Sequence, residues 1–211
     1  MMDGNRPQWK AWWKAGREGA MSYSAYVDAV ESWVEEGSHS GPKPSDALAE
    51  YTRLNAHRMR RVAKTAQWST DLETMLTGEK IQGQHWVVIT ESWCGDAAQT
   101  VPLIGELASR ANVTLDVVLR DGPASIMEDF LTHGARAIPL WIVADSDGNV
   151  LGQWGPRPHE AQRMVADFKA APQPKPEYRV FAAEVQKWYA KNRGRAFFSE
   201  ALEFIGASSR P

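Results

Sequence analysis

His85-Trp-Val-Val-Ile-Thr-Glu-Ser-Trp-Cys94-Gly-Asp-Ala97 is the stretch whose reading decides the fold. The run 85–90 is rich in β-branched and aromatic residues and reads as a buried strand. A short polar break follows, and from Thr100 to Ser109 the chain reads as a helix. The cysteine therefore stands in a tight turn at a helix start. Unpaired backbone N–H groups and the helix dipole favour a sulfur anion at such a place. Three residues on, where a dithiol motif carries its second sulfur, the chain has Ala97. The turn proposes a reactive thiol and excludes an internal disulfide at it.

Working outward, runs rich in valine and isoleucine alternate with helical stretches. The pattern predicts a helix over about 94–109, a strand over 113–119 and a helix over about 124–133. Strands over 139–144 and 149–154 and a helix over about 159–170 follow. Asp145-Ser-Asp-Gly-Asn149 is a hairpin signal between the last two strands. A right-handed crossover makes strands 85–90 and 113–119 parallel, and the hairpin adds an antiparallel pair. Pro172, Pro174 and Pro176 mark a chain reversal, after which helices are expected over 178–191 and 196–205. Upstream, Tyr23, Tyr26, Val27, Val30 and Val34 recur at helical spacing over 22–36. A second helix opens at Ser45, its N-cap. Thr70 and Glu73 have capping-box spacing for a short helix over 71–77, with Gly78 as its stop. The expected organisation is a helical N-terminal extension (1–79), an α/β domain (80–171) and C-terminal helices packed on that domain (172–211).

Bulk properties narrow the function. With 211 residues and a formal net charge of −2, the chain can bury a sizeable core and has no strong pull toward nucleic acid or membrane. One cysteine forbids an intrachain disulfide and fits a reducing compartment, so a cytoplasmic location is expected. No apolar run approaches the roughly 18 residues of a membrane span, and the N-terminus lacks the pattern of a signal peptide. The five histidines are scattered, so no metal site is expected. Asp145-Ser-Asp-Gly opens like a calcium loop, but its glycine comes too early. Of the ten tryptophans, Trp9, Trp12, Trp13 and Trp33 are among those that lie outside the α/β region. They are read as aromatics docking the N-terminal region on the core, with a partner-binding face as the alternative. The basic run Arg53, His57, Arg58, Arg60, Arg61 and Lys64 is read as a solvated helix face. Arg120 and Asp121 are read as a surface ion pair.

Three motifs in order then resemble the thioredoxin-like family: Val87 to Asp96 followed by Pro102, the strand opened by Ile138-Pro139, and the Asp147-Gly148-Asn149 hairpin. The resemblance implies a thioredoxin-like three-layer α/β/α sandwich with a mixed sheet, carrying N- and C-terminal helical extensions. It implies that Cys94 is the nucleophile and that Trp93, Gly95 and Asp96 shape the docking surface. It implies a cis bond at Pro139, leaving the Ile138 backbone beside the sulfur to pair with an extended strand. Two departures stand out. Ala97 replaces the resolving cysteine, and Val88 stands near the place of the buried acid that relatives often carry. Helix and Asp96 then pull the thiol in opposite directions, with a net lowered pKa expected.

Three functions are open. A single-thiol oxidoreductase would take over a mixed disulfide at Cys94 and be released by an outside thiol, with glutathione as a possible co-substrate; it needs no other cofactor. A non-catalytic binding module would accept an extended peptide at Trp93, Ile138 and Pro139. A one-cysteine peroxidase is the third, although Glu91 stands where such enzymes resemble one another in a threonine. Partners are accordingly a disulfide-containing or thiolated protein, or an extended peptide segment.

Overall fold

A computed structural model describes residues 6–77 and 81–208. Gly78, the expected helix stop, lies outside the described residues. Helix α1 (Pro7–Lys14), strand β1 (Met21–Ser22) and helices α2 (Tyr23–Glu35), α3 (Asp46–Thr65) and α4 (Thr70–Leu76) precede the α/β region. There β2 (His85–Thr90), α5 (Ala97–Ala111), β3 (Thr114–Leu119), β4 (Leu140–Ala144), β5 (Val150–Trp154) and α6 (His159–Ala170) follow in turn. Helices α7 (Tyr178–Asn192) and α8 (Arg195–Ala207) close the chain. Among the described residues the sheet has five strands in the order β1-β3-β2-β4-β5. β2 and β3 are parallel, while the pairs β1–β3, β2–β4 and β4–β5 are antiparallel. The mixed sheet, helices on both faces and helical extensions are as expected.

The two-residue period of a strand splits the core in two. Trp86, Val88, Val117, Trp141 and Val143 face α2–α5 and α8. Val87, Ile89, Val118, Leu140 and Ile142 face the other way, against Trp9, Trp12, Ile126 and Phe130. β2 is the central strand and its Trp86–Thr90 segment is buried throughout. That is why its sequence is apolar on both faces rather than alternating.

Trp9 and Trp12 are core residues, as the docking reading requires. The Trp9 indole donates to Gly148 O at 2.8 Å, its backbone N–H donates to Asp129 at 2.8 Å, and its ring meets Phe130 edge-on. Three local expectations differ. Residues 1–20 carry no clear period and none of the expected elements covers them, yet α1 forms with Pro7 at its first turn, where the missing N–H costs nothing. The helix expected over 124–133 is a single 3-10 turn at Met127–Phe130. Pro123 lies before it, and His133 and Gly134 adopt positive φ after it, so a longer helix has no room to propagate. Helix α4 is capped by Ser69, whose hydroxyl accepts from Leu72 N–H, rather than by Thr70.

Candidate functional site

The turn joining β2 to α5 carries Trp93, Cys94, Gly95 and Asp96, all half-buried. Across it lie Ile138 and Pro139, both buried, joined by a cis peptide. The Cys94 thiol donates to Ile138 O at 3.4 Å, so the structure brings these six residues together. Glycine is required at Gly155, where β5 passes Pro139: φ is +136°, and a Cβ there would collide with Pro139 O.

Each residue of the turn is held by a neighbour from a different part of the chain. Asp96 accepts from the Arg157 guanidinium at 2.6 and 3.0 Å and from the Tyr189 hydroxyl at 2.9 Å. Gln186 of α7 donates to Gly95 O at 3.2 Å, Gln99 donates to Gln186, and Arg61 donates to Gln99. Ser92 accepts from Ser40 N–H, shares a hydroxyl contact with Thr52, and takes the Asn55 amide on its carbonyl at 2.8 Å. Arg120 lies over the Trp93 ring at 4.7 Å and pairs with Asp121 at 2.6 Å, whose carboxyl this guanidinium holds below the usual range. The expected Arg120–Asp121 pair is thus part of the site wall. Gly41 also closes on Trp93: a Cβ there would lie 3.5 Å from the indole nitrogen.

The thiol departs from expectation. Backbone N–H groups of Ala97 and Asp96 and the Arg157 charge all favour the anion. Burial, and then the Asp96 carboxylate, outweigh them and push the thiol up to about 12. The sulfur packs against both cores, and the helix terminus does not compensate for that desolvation. The expected lowering is therefore corrected to a raised pKa. Burial and Asp96 likewise push Tyr189 upward.

A buried acid is present after all, though not at Val88. Glu91 is fully buried at the end of β2, accepting from Ser40 Oγ and from Asp121 N–H at 2.8 Å, and burial raises its pKa. Glu91, Ser40, Arg157, Gln186 and Tyr189 were not singled out by the sequence as members of this wall. Only the out-of-pattern carboxylate at the end of an apolar strand hinted at one of them.

Among the described residues no three or more His, Cys, Asp or Glu side chains gather so as to hold a metal ion. Nor is any helix among them long and apolar enough to cross a membrane.

A sheet of this order, with a lone cysteine at the start of α5 opposite a cis-proline, defines a thioredoxin-like protein. The model of the family described as thioredoxin matches residues 41–169, more than half of the chain, and the protein belongs to that family. No curated protein matches the chain. Two solved structures are similar to it. One is an HIV epitope-scaffold, with a TM-score of 0.47 and 18% identity over 75% of this chain and 90% of that one. The other is a Pseudomonas aeruginosa protein of unknown function, with a TM-score of 0.43 and 17% identity over 87% of this chain and 94% of that one.

Proposed function

We propose that this thioredoxin-family protein is a recognition module. Its Trp93–Asp96 turn and the neighbouring Ile138–Pro139 segment form the docking face for an extended peptide, and Cys94 rests as a neutral thiol. The observation that carries this reading is the thiol itself, donating to Ile138 O and pushed up to about 12. At pH 7 a thiol raised this far is far less ionised than an unperturbed cysteine, of which a few per cent is thiolate. A more basic thiolate attacks faster, but with a Brønsted slope near 0.5 that gain recovers only about half, on a logarithmic scale, of what the lost ionisation costs. Ala97 is buried where a resolving sulfur would sit, so the turn offers no second step.

Single-thiol exchange is the second reading. It is favoured by the two backbone N–H groups directed at the sulfur and by the partial exposure Cys94 retains. In it, the Cys94 thiolate attacks a mixed disulfide, forms a new S–S bond and expels the other sulfur as thiolate; a glutathione-type thiol then frees Cys94. The pH dependence of Cys94 alkylation, with unfolded protein as control, separates the two. A folded profile displaced above the control supports the recognition module. One displaced below it, with rapid adduct formation at neutral pH, overturns that reading in favour of exchange.

A further inference from the structure

The expectation that the α3 basic run is a solvated face holds for only part of it. Arg53 pairs with Glu50 at 2.6 Å and Arg60 with Glu31 at 2.6 Å, all four exposed or nearly so. Arg58 and Arg61 turn the other way, Arg58 toward Gly95 and Arg61 toward Gln99 of α5, whose amide joins Gln186 and through it Gly95. A Cβ on Gly95 would lie 3.5 Å from Arg58 Nη1, which puts that guanidinium directly over the residue next to the cysteine. Arg58 donates to Asn55 Oδ1 at 2.7 Å and Arg61 to Gln99 Oε1 at 3.0 Å. Both partners are neutral amides. Among the described residues neither guanidinium has a carboxylate within ion-pair reach. The acid whose charge Arg58 feels is Asp96, and that carboxylate is occupied by Arg157 and Tyr189.

Two like charges left half-buried side by side without a carboxylate are unfavourable: burial, and then the Arg61 charge, push Arg58 below the usual arginine range. Shortage of acids does not explain it, since the chain has 26 Asp and Glu against 24 Lys and Arg. The cleft running from Arg61 past Gln99, Tyr189 and Asn192 to Arg193 contains no Asp or Glu among its lining residues. A guanidinium has five donors in a planar fork matched to a carboxylate, and among the described residues each of these two makes one side-chain hydrogen bond, to an amide. Tyr51, exposed and close enough to Arg58 to act on its charge, borders the same face.

We propose that Arg58 and Arg61 form a carboxylate-recognition site beside Gly95, and that the docked peptide is acidic. The bound segment sets a Glu or Asp side chain on the Arg58–Arg61 pair while its backbone passes the Trp93–Pro139 face. This rests on the recognition-module reading and supplies the chemistry of its partner. The test is titration calorimetry of the full chain with a capped Gly-Glu-Glu-Gly peptide, its Gly-Gln-Gln-Gly counterpart and S-methylglutathione. Binding of the Glu peptide, weakened by salt and by about tenfold in each of Arg58→Gln and Arg61→Gln, is expected. Arg53→Gln, on the solvated face, leaves it unchanged. Binding of S-methylglutathione with the same arginine dependence upholds the carboxylate site and assigns it to a small molecule instead of a peptide. Equal binding of Glu and Gln peptides, or binding indifferent to salt and to both arginines, overturns the site. If Cys94 alkylation still reports a raised pKa in that case, the recognition module stands without this site.

Discussion

After burial, Asp96 has the largest effect on the sulfur two residues before it. Its carboxylate raises the thiol pKa, and Arg157 offsets part of that effect. Asp96→Asn removes the anion and leaves the Arg157 charge in place, so Cys94 alkylation at pH 7 accelerates and its profile moves down in pH. The same change strands a half-buried guanidinium, and denaturant titration is expected to show a loss of about 2–4 kcal/mol. The thiol itself has a linked signature. Its folded pKa of about 12 lies above the unfolded value of about 8.5. Its contribution to stability is therefore complete below about pH 8.5 and is lost as pH rises toward 12. Cys94→Ala should flatten that part of the alkaline stability profile. The candidate residues were legible in sequence because a turn between a strand and a helix is a local object. The direction of the pKa was not, because it depends on burial by two cores and on the Asp96 carboxylate, held by residues 61 and 93 positions away.

At the scale of elements, α5 is pressed onto α2 at Gly105. A Cβ there would come within 2.5 Å of the Tyr23 ring. Gly105→Ala gains helix propensity but overpacks this contact, with an expected net loss of about 1–3 kcal/mol by thermal or denaturant melting. Gly206, in α8, is the opposite case, with nothing within 4 Å of an added Cβ. Gly206→Ala should stabilise by about 0.5–1 kcal/mol. The long elements were readable because the hydrophobic period extends over many residues, as in α2, α3 and α7. Short ones were not. The two-residue β1 is a strand only because β3 offers it a partner at Val117 and Asp116. The 3-10 turn at Met127–Phe130 is set by burial of Ile126, Met127 and Phe130 against Trp9 rather than by any local period.

The whole molecule is a sheet whose two faces are closed by segments remote in sequence. Residues before 45 and after 172 supply much of that cover: Trp9 and Trp12 on one face, Phe197, Ala201 and Ile205 on the other. Trp9→Ala should cost about 3–5 kcal/mol, read as an earlier denaturation midpoint, although position 9 lies outside the strand pattern. Composition, one cysteine, the strand–turn–helix around Cys94 and the Pro139 strand determined by themselves the fold class and the place of the candidate site, because strand and helix periods and the turn are written in adjacent residues. Tertiary structure alone decided that burial raises the Cys94 pKa, that Asp96 is latched by Arg157 and Tyr189, and that Arg58 meets Gly95 and Arg61 meets Gln99 with no carboxylate partner among the described residues. Burial and charge pairing are sums over neighbours in space, and those neighbours come from α3, α7 and the segment before α6, which the folded chain brings to one turn.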